Sequence, residues 1–422
     1  MRIEVVAFVL SGGEGQRLLP LTKDRAKPAI PFGGSYRVID FVLSNLIHSR
    51  IRKIYVITQY ESRSLEKHIF EGWTPIFGTG RFNFIRLLPP KLGSESGWYL
   101  GTADAISKNK SYAWADKPDI IDIFSSDHIY LMDISLMNDF HLDNSADLTI
   151  SAIPVKCSVA AKKYGVLVVD KDWRLIGFEE KPEVPTPMPG NSQYCLASMG
   201  NYAFDLKVLI EELVIDSLKK TTYDRELIKS DPEHYSSHDF GFDVIPAMLN
   251  RGRKIYVYNF NDNVIIGETK TEKSYWRDIG DLDEFYEANM DLLKPEPEIN
   301  LLNDKWEVFT RVASVRPSKI NSSSKIYKSI IANGCIINNA TIEKSILSYN
   351  VIVEENTKIS GSFIMGNNYI GKNVVIKNSI VDSATYIPDN TSIGVNKEDD
   401  LRRNFSFSRE GITIVPRKYR FQ

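Results

Sequence analysis

Beyond about residue 320 the chain loses any helical repeat and begins to repeat every six residues. Isoleucines stand at Ile330, Ile336 and Ile342, at Ile346 and Ile352, at Ile364, Ile370 and Ile376, and at Ile387 and Ile393. Asn, Ser, Gly and Thr fill the spaces between them. A six-residue apolar step is what a parallel β-helix needs, because each flat face of a coil points one apolar side chain inward. A β-sandwich of irregular strands is the competing reading, and nothing in it requires that step. The register breaks at several corners, yet the count of six-residue steps favours a solenoid over residues 321–422.

The chain before it follows a different grammar. Residues 5–10 form a nearly continuous apolar run ending in glycines, the pattern of a strand buried on both faces. Val38, Ile39, Val42, Leu43, Leu46 and Ile47 then recur with helical spacing, and residues 53–58 (KIYVIT) read as a second strand. Strand, loop, helix and strand make a βαβ unit, with parallel strands and a right-handed crossover. The same pattern continues through residues 120–124 and 148–154, so an α/β sheet with helices on both faces is expected over residues 1–293. LLKPEPEINLLND, beginning at Leu292, places two prolines among acidic residues and predicts a linker over 294–320.

A chain of 422 residues suits two or three domains. Its 43% hydrophobic and 25% charged content is that of an ordinary globular protein. A formal net charge of −2, with both signs interspersed, gives no global attraction to nucleic acid or an anionic membrane. No apolar run reaches the length of a membrane span. MRIEVVAFVLSGG lacks the basic region and cleavage site of a signal peptide, and Cys157, Cys195 and Cys335 are scattered without a CxxC pair. A cytoplasmic protein with reduced cysteines and no zinc site is expected.

The first strand runs into LSGGEGQRLLPLTKDRAKPAIPFGG, residues 10–34. A phosphate-binding P-loop would need GxxxxGK[ST], which does not occur, and a Rossmann fingerprint would need glycine where Leu18 stands. A tight strand-to-helix turn without a ligand is the plainest alternative. The continuation argues for more. Bare glycine amides at the carboxyl end of a strand can approach a triphosphate closely. Arg17 adds a planar two-pronged donor and Lys27 a point charge.

GGEGQRLLPLTKDRAKPAIPFGG with RVIDFVLSN (37–45) and VITQY (56–60) resembles the glucose-1-phosphate adenylyltransferases, the ADP-glucose pyrophosphorylases. The resemblance continues through GWYLGTADAI (97–106), SDHIY (126–130), YGVLVVD (164–170), FEEKP (178–182), LASMGNYAF (196–204), SSHDFGFDVIP (236–246) and YWRDIG (275–280). It implies a Rossmann-like nucleotidyltransferase domain with a mostly parallel sheet, followed by a left-handed parallel β-helix. It also implies the committed step of bacterial glycogen synthesis: ATP and α-D-glucose 1-phosphate give ADP-glucose and pyrophosphate.

What the resemblance implies of single residues is specific. Arg17, Lys27 and Asp127 are expected to be catalytic. Asp127 and Asp278 are expected to hold Mg²⁺, a hard ion suited to carboxylates and phosphate oxygens. Gly12, Gly13, Gly15, Gln59, Gly101 and Thr102 fall to the nucleotide. Lys181 is expected to bind the phosphate of glucose 1-phosphate and Glu180 the sugar hydroxyls, with Tyr99, Gly165 and Ser198 completing that pocket. His128 is read as structural, since its imidazole has no ligand-spaced partner in sequence, and Tyr60 is given no role. Arg25, Arg37 and Arg417 match an effector pocket for phosphorylated sugars or nucleotides in a homotetramer. The chain departs from the family pattern at Ser126, where glycine is usual and crowding is expected, at Glu14, and at Asp24 and Pro31 in the effector pocket. Because a sugar phosphate is already an anion at neutral pH, the transfer needs no general base. Positioning and charge neutralisation suffice.

Overall fold

The computed structural model describes residues 3–90, 97–268, 274–311 and 315–421. Residues 312–314 of the expected linker therefore lie outside the described residues. The first unit runs β1 (Val5–Ser11), α1 (Ile39–His48), β2 (Lys53–Thr58), β3 (Phe84–Leu88), α2 (Thr102–Asp116), β4 (Ile120–Ser125), β5 (His128–Tyr130) and α3 (Ile134–Asp143). It continues through β6 (Leu148–Lys156), β7 (Gly165–Val169), β8 (Leu175–Glu180), β9 (Tyr194–Asp205), α4 (Leu206–Ser217), β10 (Ile255–Asn259), β11 (Trp276–Asp278) and α5 (Leu282–Asp291).

One nine-stranded sheet carries the unit, in the order β8-β7-β9-β4-β1-β2-β3, with β6 on β9 and β10 on β6. β1, β2, β3 and β4 pair in parallel, and β10 is parallel to β6. β9 runs against β4, β6 and β7, and β8 against β7. Seven strands thus point one way and two the other. The two faces of β1 explain its unbroken hydrophobicity. Val6 and Phe8 enter one core layer, while Ala7 and Val9 enter the opposite one. With helices on both sides, residues 6–9 of that strand are shut off from water.

The C-terminal unit stacks short parallel strands into three ladders, as a left-handed β-helix does. Its coil is not the eighteen residues that three sixes would give. Lys319 pairs with Ile336, Ile336 with Ile352, Ile352 with Tyr369 and Tyr369 with Tyr386, so successive coils take 17, 16, 17 and 17 residues. The interior column is Ile337, Ile342, Leu347, Val353, Ile359, Ile364, Ile370, Ile376, Val381, Ile387 and Ile393, with steps of five or six. This corrects part of the sequence-based register. Ile336 and Ile352 are half-buried, and their neighbours Ile337 and Val353 fill the interior. Where two apolar β-branched residues adjoin, the period alone does not say which one points inward. Ile330 and Ile346 turn outward to the other unit.

That outward row joins the two units. Ile346, Phe363, Ile380 and Ile414 pack with Leu282 and Phe285 of α5, and the Phe285 and Phe363 rings lie 5.9 Å apart. Tyr286 donates to the Gly361 carbonyl at 2.6 Å, and Asp283 accepts from the Arg409 amide at 3.1 Å. Residues 306–310, between α5 and the first coil, lie along α1. Trp306 is buried, the Phe309 amide donates to Ser44 Oγ at 2.9 Å, and Thr310 donates to the buried Asp40 carboxylate at 2.7 Å. Phe363→Ala should cost about 3–5 kcal/mol, the range for an emptied aromatic core site. Denaturant unfolding measures it, and a loss below about 1 kcal/mol would mean that this face does not hold the units together.

Candidate active site

The carboxyl ends of β1, β2 and β4 lie side by side, and the residues that follow each strand open onto one cavity of about 700 Å³. Gly12, Gly13 and Arg17 follow β1, Gln59 follows β2, and Asp127 follows β4. This is where parallel α/β sheets bind ligands. The glycine loop is tight for steric reasons. Gly15 has φ +65°, and a Cβ there would stand 2.8 Å from Thr22 Cγ2. Gly15 supports the loop from behind, whereas Gly12 and Gly13 line the cavity.

Ser126 lines the cavity. Its buried hydroxyl accepts from Ser11 Oγ at 2.9 Å and donates to the Leu10 carbonyl at 2.7 Å, tying β4 to β1 in the cavity wall. Glu14 is exposed and accepts from Gln16.

Lys27 stands between two carboxylates at the cavity floor. Its Nζ is 2.6 Å from Asp127 Oδ2 and 3.6 Å from Asp278 Oδ1. Asp278 arrives from 151 residues away because β11 pairs antiparallel with β5, which sets Asp278 opposite His128. The same pairing sets His128 beside both carboxylates. Its Nε2 lies 3.3 Å from Asp127 and 3.9 Å from Asp278, and possible ligand atoms of the three residues all fall within 4.8 Å of one another. Sequence offered no sign of this, since the partner lies on a distant strand.

Burial by itself raises the Asp127 carboxyl. The Lys27 ammonium, the His128 imidazole and hydrogen bonds from Lys27 and Ser125 outweigh it and hold the group well below the usual carboxylate range. Arg17 flanks the pair, since a Cβ built on Gly280 would stand 3.4 Å from Asp278 Oδ2 and 3.7 Å from Arg17 Nη1.

Across the cavity, Gly165 of β7 pairs with Glu180 of β8. A Cβ at Gly165 would fall 2.9 Å from Phe178 Cζ and 3.3 Å from Glu180 Oε2, so only glycine leaves that wall open. Lys181 follows with φ +49°, and its Nζ rests 2.9 Å from Glu180 Oε1 with half the side chain exposed. Ser198 lines the cavity from β9, next to a bulge in that strand. Tyr99 accepts from Asn109 at 2.9 Å, and its amide donates to Gln59 Oε1 at 3.1 Å.

Gly101 precedes α2 at a point where a Cβ would be 2.3 Å from the His238 carbonyl. Thr102 donates to Asp239 Oδ2 at 2.9 Å and accepts from the Phe240 amide at 3.0 Å. Asp239 and Tyr60 are among the lining residues that had no role assigned from sequence. Asp239 brings a carboxylate to the cavity wall beside Thr102, and Tyr60 stacks on Trp98 at 4.6 Å. Asp239 lies inside the quoted SSHDFG string, which was the signal available.

The expected effector arginines lie elsewhere. Arg25 is buried and binds both oxygens of Asp382 in the β-helix at 2.6 Å, so its charge is already matched. Arg37 donates to the carbonyl and hydroxyl of Ser64 at 2.9 and 3.0 Å, and burial lowers its pKa. Arg417 has a buried Nε without a partner among the described residues. Asp24 is exposed.

A glycine loop, two cations and a carboxylate pair open onto one cavity, the arrangement of a nucleotidyl transferase. The nucleotidyl transferase family model matches residues 6–295, and the GlmU-like C-terminal hexapeptide model matches residues 313–415. The chain belongs to the glucose-1-phosphate adenylyltransferase family. It is 40% identical over 420 residues to the glucose-1-phosphate adenylyltransferase of Trichlorobacter lovleyi, covering 98% of this chain and 97% of that protein. It is 42% identical to the proteins of that name from Photobacterium profundum, over 98% of both chains, and from Thermus thermophilus, over 100% of both. No helix among the described residues is long and apolar enough to cross a membrane.

Proposed function

We propose that this chain transfers the adenylyl group of ATP to the phosphate of α-D-glucose 1-phosphate, releasing pyrophosphate and ADP-glucose for glycogen synthesis. The observation that carries the reading is the convergence on one cavity of Arg17, Lys27, Asp127 and Asp278 on one side and of Glu180 and Lys181 on the other. The glycine amides and Arg17 bind the triphosphate, with Gln59, Gly101 and Thr102 on the nucleoside side. Lys181 grips the sugar phosphate, Glu180 accepts from sugar hydroxyls, and Tyr99, Gly165 and Ser198 shape the pocket.

The attacking group is a phosphate oxygen, so no side chain has to remove a proton or become covalently bound. The protein's part is to align that oxygen with the α-phosphorus and to neutralise charge. Lys27 keeps two like charges together in a partly desolvated site. The donor set fits a hard divalent ion, since the Asp127 and Asp278 carboxylates offer oxygen atoms within 4.8 Å of each other. Asp127 and Asp278 would hold Mg²⁺, which supplies charge neutralisation on the phosphates when bound.

Cytoplasmic location, a homotetramer and control by phosphorylated sugars or nucleotides at Arg25, Arg37 and Arg417 complete the proposal. The Arg25–Asp382 ion pair supports a link between effector and catalysis, because it crosses from the catalytic unit to the β-helix. The nucleotide is tested by pyrophosphate release from ATP, UTP, GTP and CTP in turn, each with glucose 1-phosphate. ATP should lead in kcat/KM by at least about tenfold. A lead by any other triphosphate overturns the adenylyl assignment.

A further inference from the structure

His128 lines the substrate cavity beside both carboxylates, and no step of the transfer above uses it. Its surroundings are not those of a packing histidine. Nδ1 is buried and has no hydrogen-bond partner among the described residues, so that atom does not anchor the ring. Packing does. The Trp276 ring meets it edge-on at 5.0 Å, and a Cβ on Gly200 would stand 3.9 Å from its Cε1. Held this way, Nε2 comes to 3.3 Å from Asp127 Oδ1 and 3.9 Å from Asp278 Oδ1.

Elsewhere in the chain a histidine beside an aspartate closes to a hydrogen bond. His68 lies 2.6 Å from Asp40, His238 2.7 Å from Asp216 and His234 2.8 Å from Asp231, as charge-assisted pairs do. His128 stays farther from both of its carboxylates. Donor atoms that share one octahedral ion stand apart in this way: with bonds of about 2.1 Å, neighbouring donors are about 3 Å apart and opposite ones about 4 Å. Lys27 does not compete for the same oxygen of Asp127, because its Nζ takes Oδ2 whereas Oδ1 faces His128. Ser125 also donates to Oδ1, which keeps a second lone pair.

We propose that His128 Nε2 is a third protein ligand of the ion that Asp127 and Asp278 would hold, and that this nitrogen raises the site's preference for Co²⁺ over Mg²⁺. The inference rests on the carboxylate-pair reading above and adds a donor to it. Mg²⁺ is a hard ion that takes oxygen ligands and gains little from an imidazole. An imidazole nitrogen is a good ligand for the later first-row ions, and affinity rises from Mn²⁺ through Co²⁺. Three protein donors still leave half of an octahedral shell to phosphate oxygens and water, so His128 does not displace a substrate.

The test uses the full chain without nucleotide and Co²⁺ alone as the probe, so turnover is not the readout. A histidine bound to Co²⁺ through Nε2 carries its proton on Nδ1, and the paramagnetic ion shifts that proton far downfield. Because Nδ1 is buried, its exchange with water is slow enough for the signal to be seen. Proton NMR of the Co²⁺-loaded, unaltered protein should therefore show a far-downfield exchangeable resonance, split by nitrogen-15 when the histidine rings carry that isotope. The resonance should vanish in His128→Asn. In titration calorimetry the same variant should lose at least about tenfold of the preference for Co²⁺ over Mg²⁺. Co²⁺ bound without the resonance, or a resonance and preference unchanged in the variant, overturns His128 as a ligand and leaves the carboxylate pair standing. Failure of the unaltered protein to bind Co²⁺ at all overturns both.

Discussion

Asp127→Asn should lower kcat by about a hundredfold or more while the fold survives. The substitution keeps the shape and removes the charge that Lys27 meets at 2.6 Å. Folding should tolerate it, because Asp127 keeps 26% side-chain exposure and Lys27 still has Asp278 at 3.6 Å. Catalysis should not. A carboxylate held ionised at the end of β4 neutralises charge where it develops, and an amide cannot do so. The check is kcat at saturating substrates and Mg²⁺, with thermal unfolding as the control for folding. Turnover within about threefold of wild type, in a folded variant, would remove Asp127 from the catalytic set.

The second large effect separates binding from chemistry. Lys181→Ala should raise KM for glucose 1-phosphate by about 10²-fold, on the order of 3 kcal/mol for a lost charge-assisted contact. KM for ATP should hardly change, because the residue stands across the cavity from the glycine loop. Lys181 adopts φ +49° at the end of β8, and alanine bears the same backbone penalty there, so the comparison isolates the side chain. The ammonium is half exposed and, among the described residues, paired only with the adjacent Glu180, so its loss should leave stability nearly unchanged. Parallel changes in both KM values would show that Lys181 does not belong to the sugar phosphate.

What was legible in the sequence is what local pattern controls. β1 was readable because both of its faces are buried, which leaves an apolar run ending at the loop it serves. Asp127 was readable because it follows the apolar strand β4 directly. The β-helix was readable in its period but not in its register. A coil of 16 or 17 residues forces five-residue steps, and at Ile336–Ile337 two isoleucines compete for one inward position. Long-range pairing was invisible. Nothing near His128 announces that β11 will bring Asp278 against it. Nothing near Arg25 announces that Asp382, 357 residues on, takes up its charge. Motif resemblance supplied Asp278 where pattern did not. It supplied no role for Asp239 or Tyr60, which became visible only as walls of the cavity.

The claim at the centre is a single direct transfer between two bound substrates, with the protein contributing alignment and charge but no covalent bond. The stereochemistry at phosphorus reports on it. ATP made chiral by sulfur at the α-phosphorus is converted with glucose 1-phosphate, and the configuration of the nucleotide sugar is read by phosphorus NMR. One in-line displacement inverts that centre, so ADP-glucose with inverted configuration is expected. Retained configuration would require two displacements and a covalent adenylyl-enzyme. That result, or the absence of any nucleotide sugar, would contradict the mechanism.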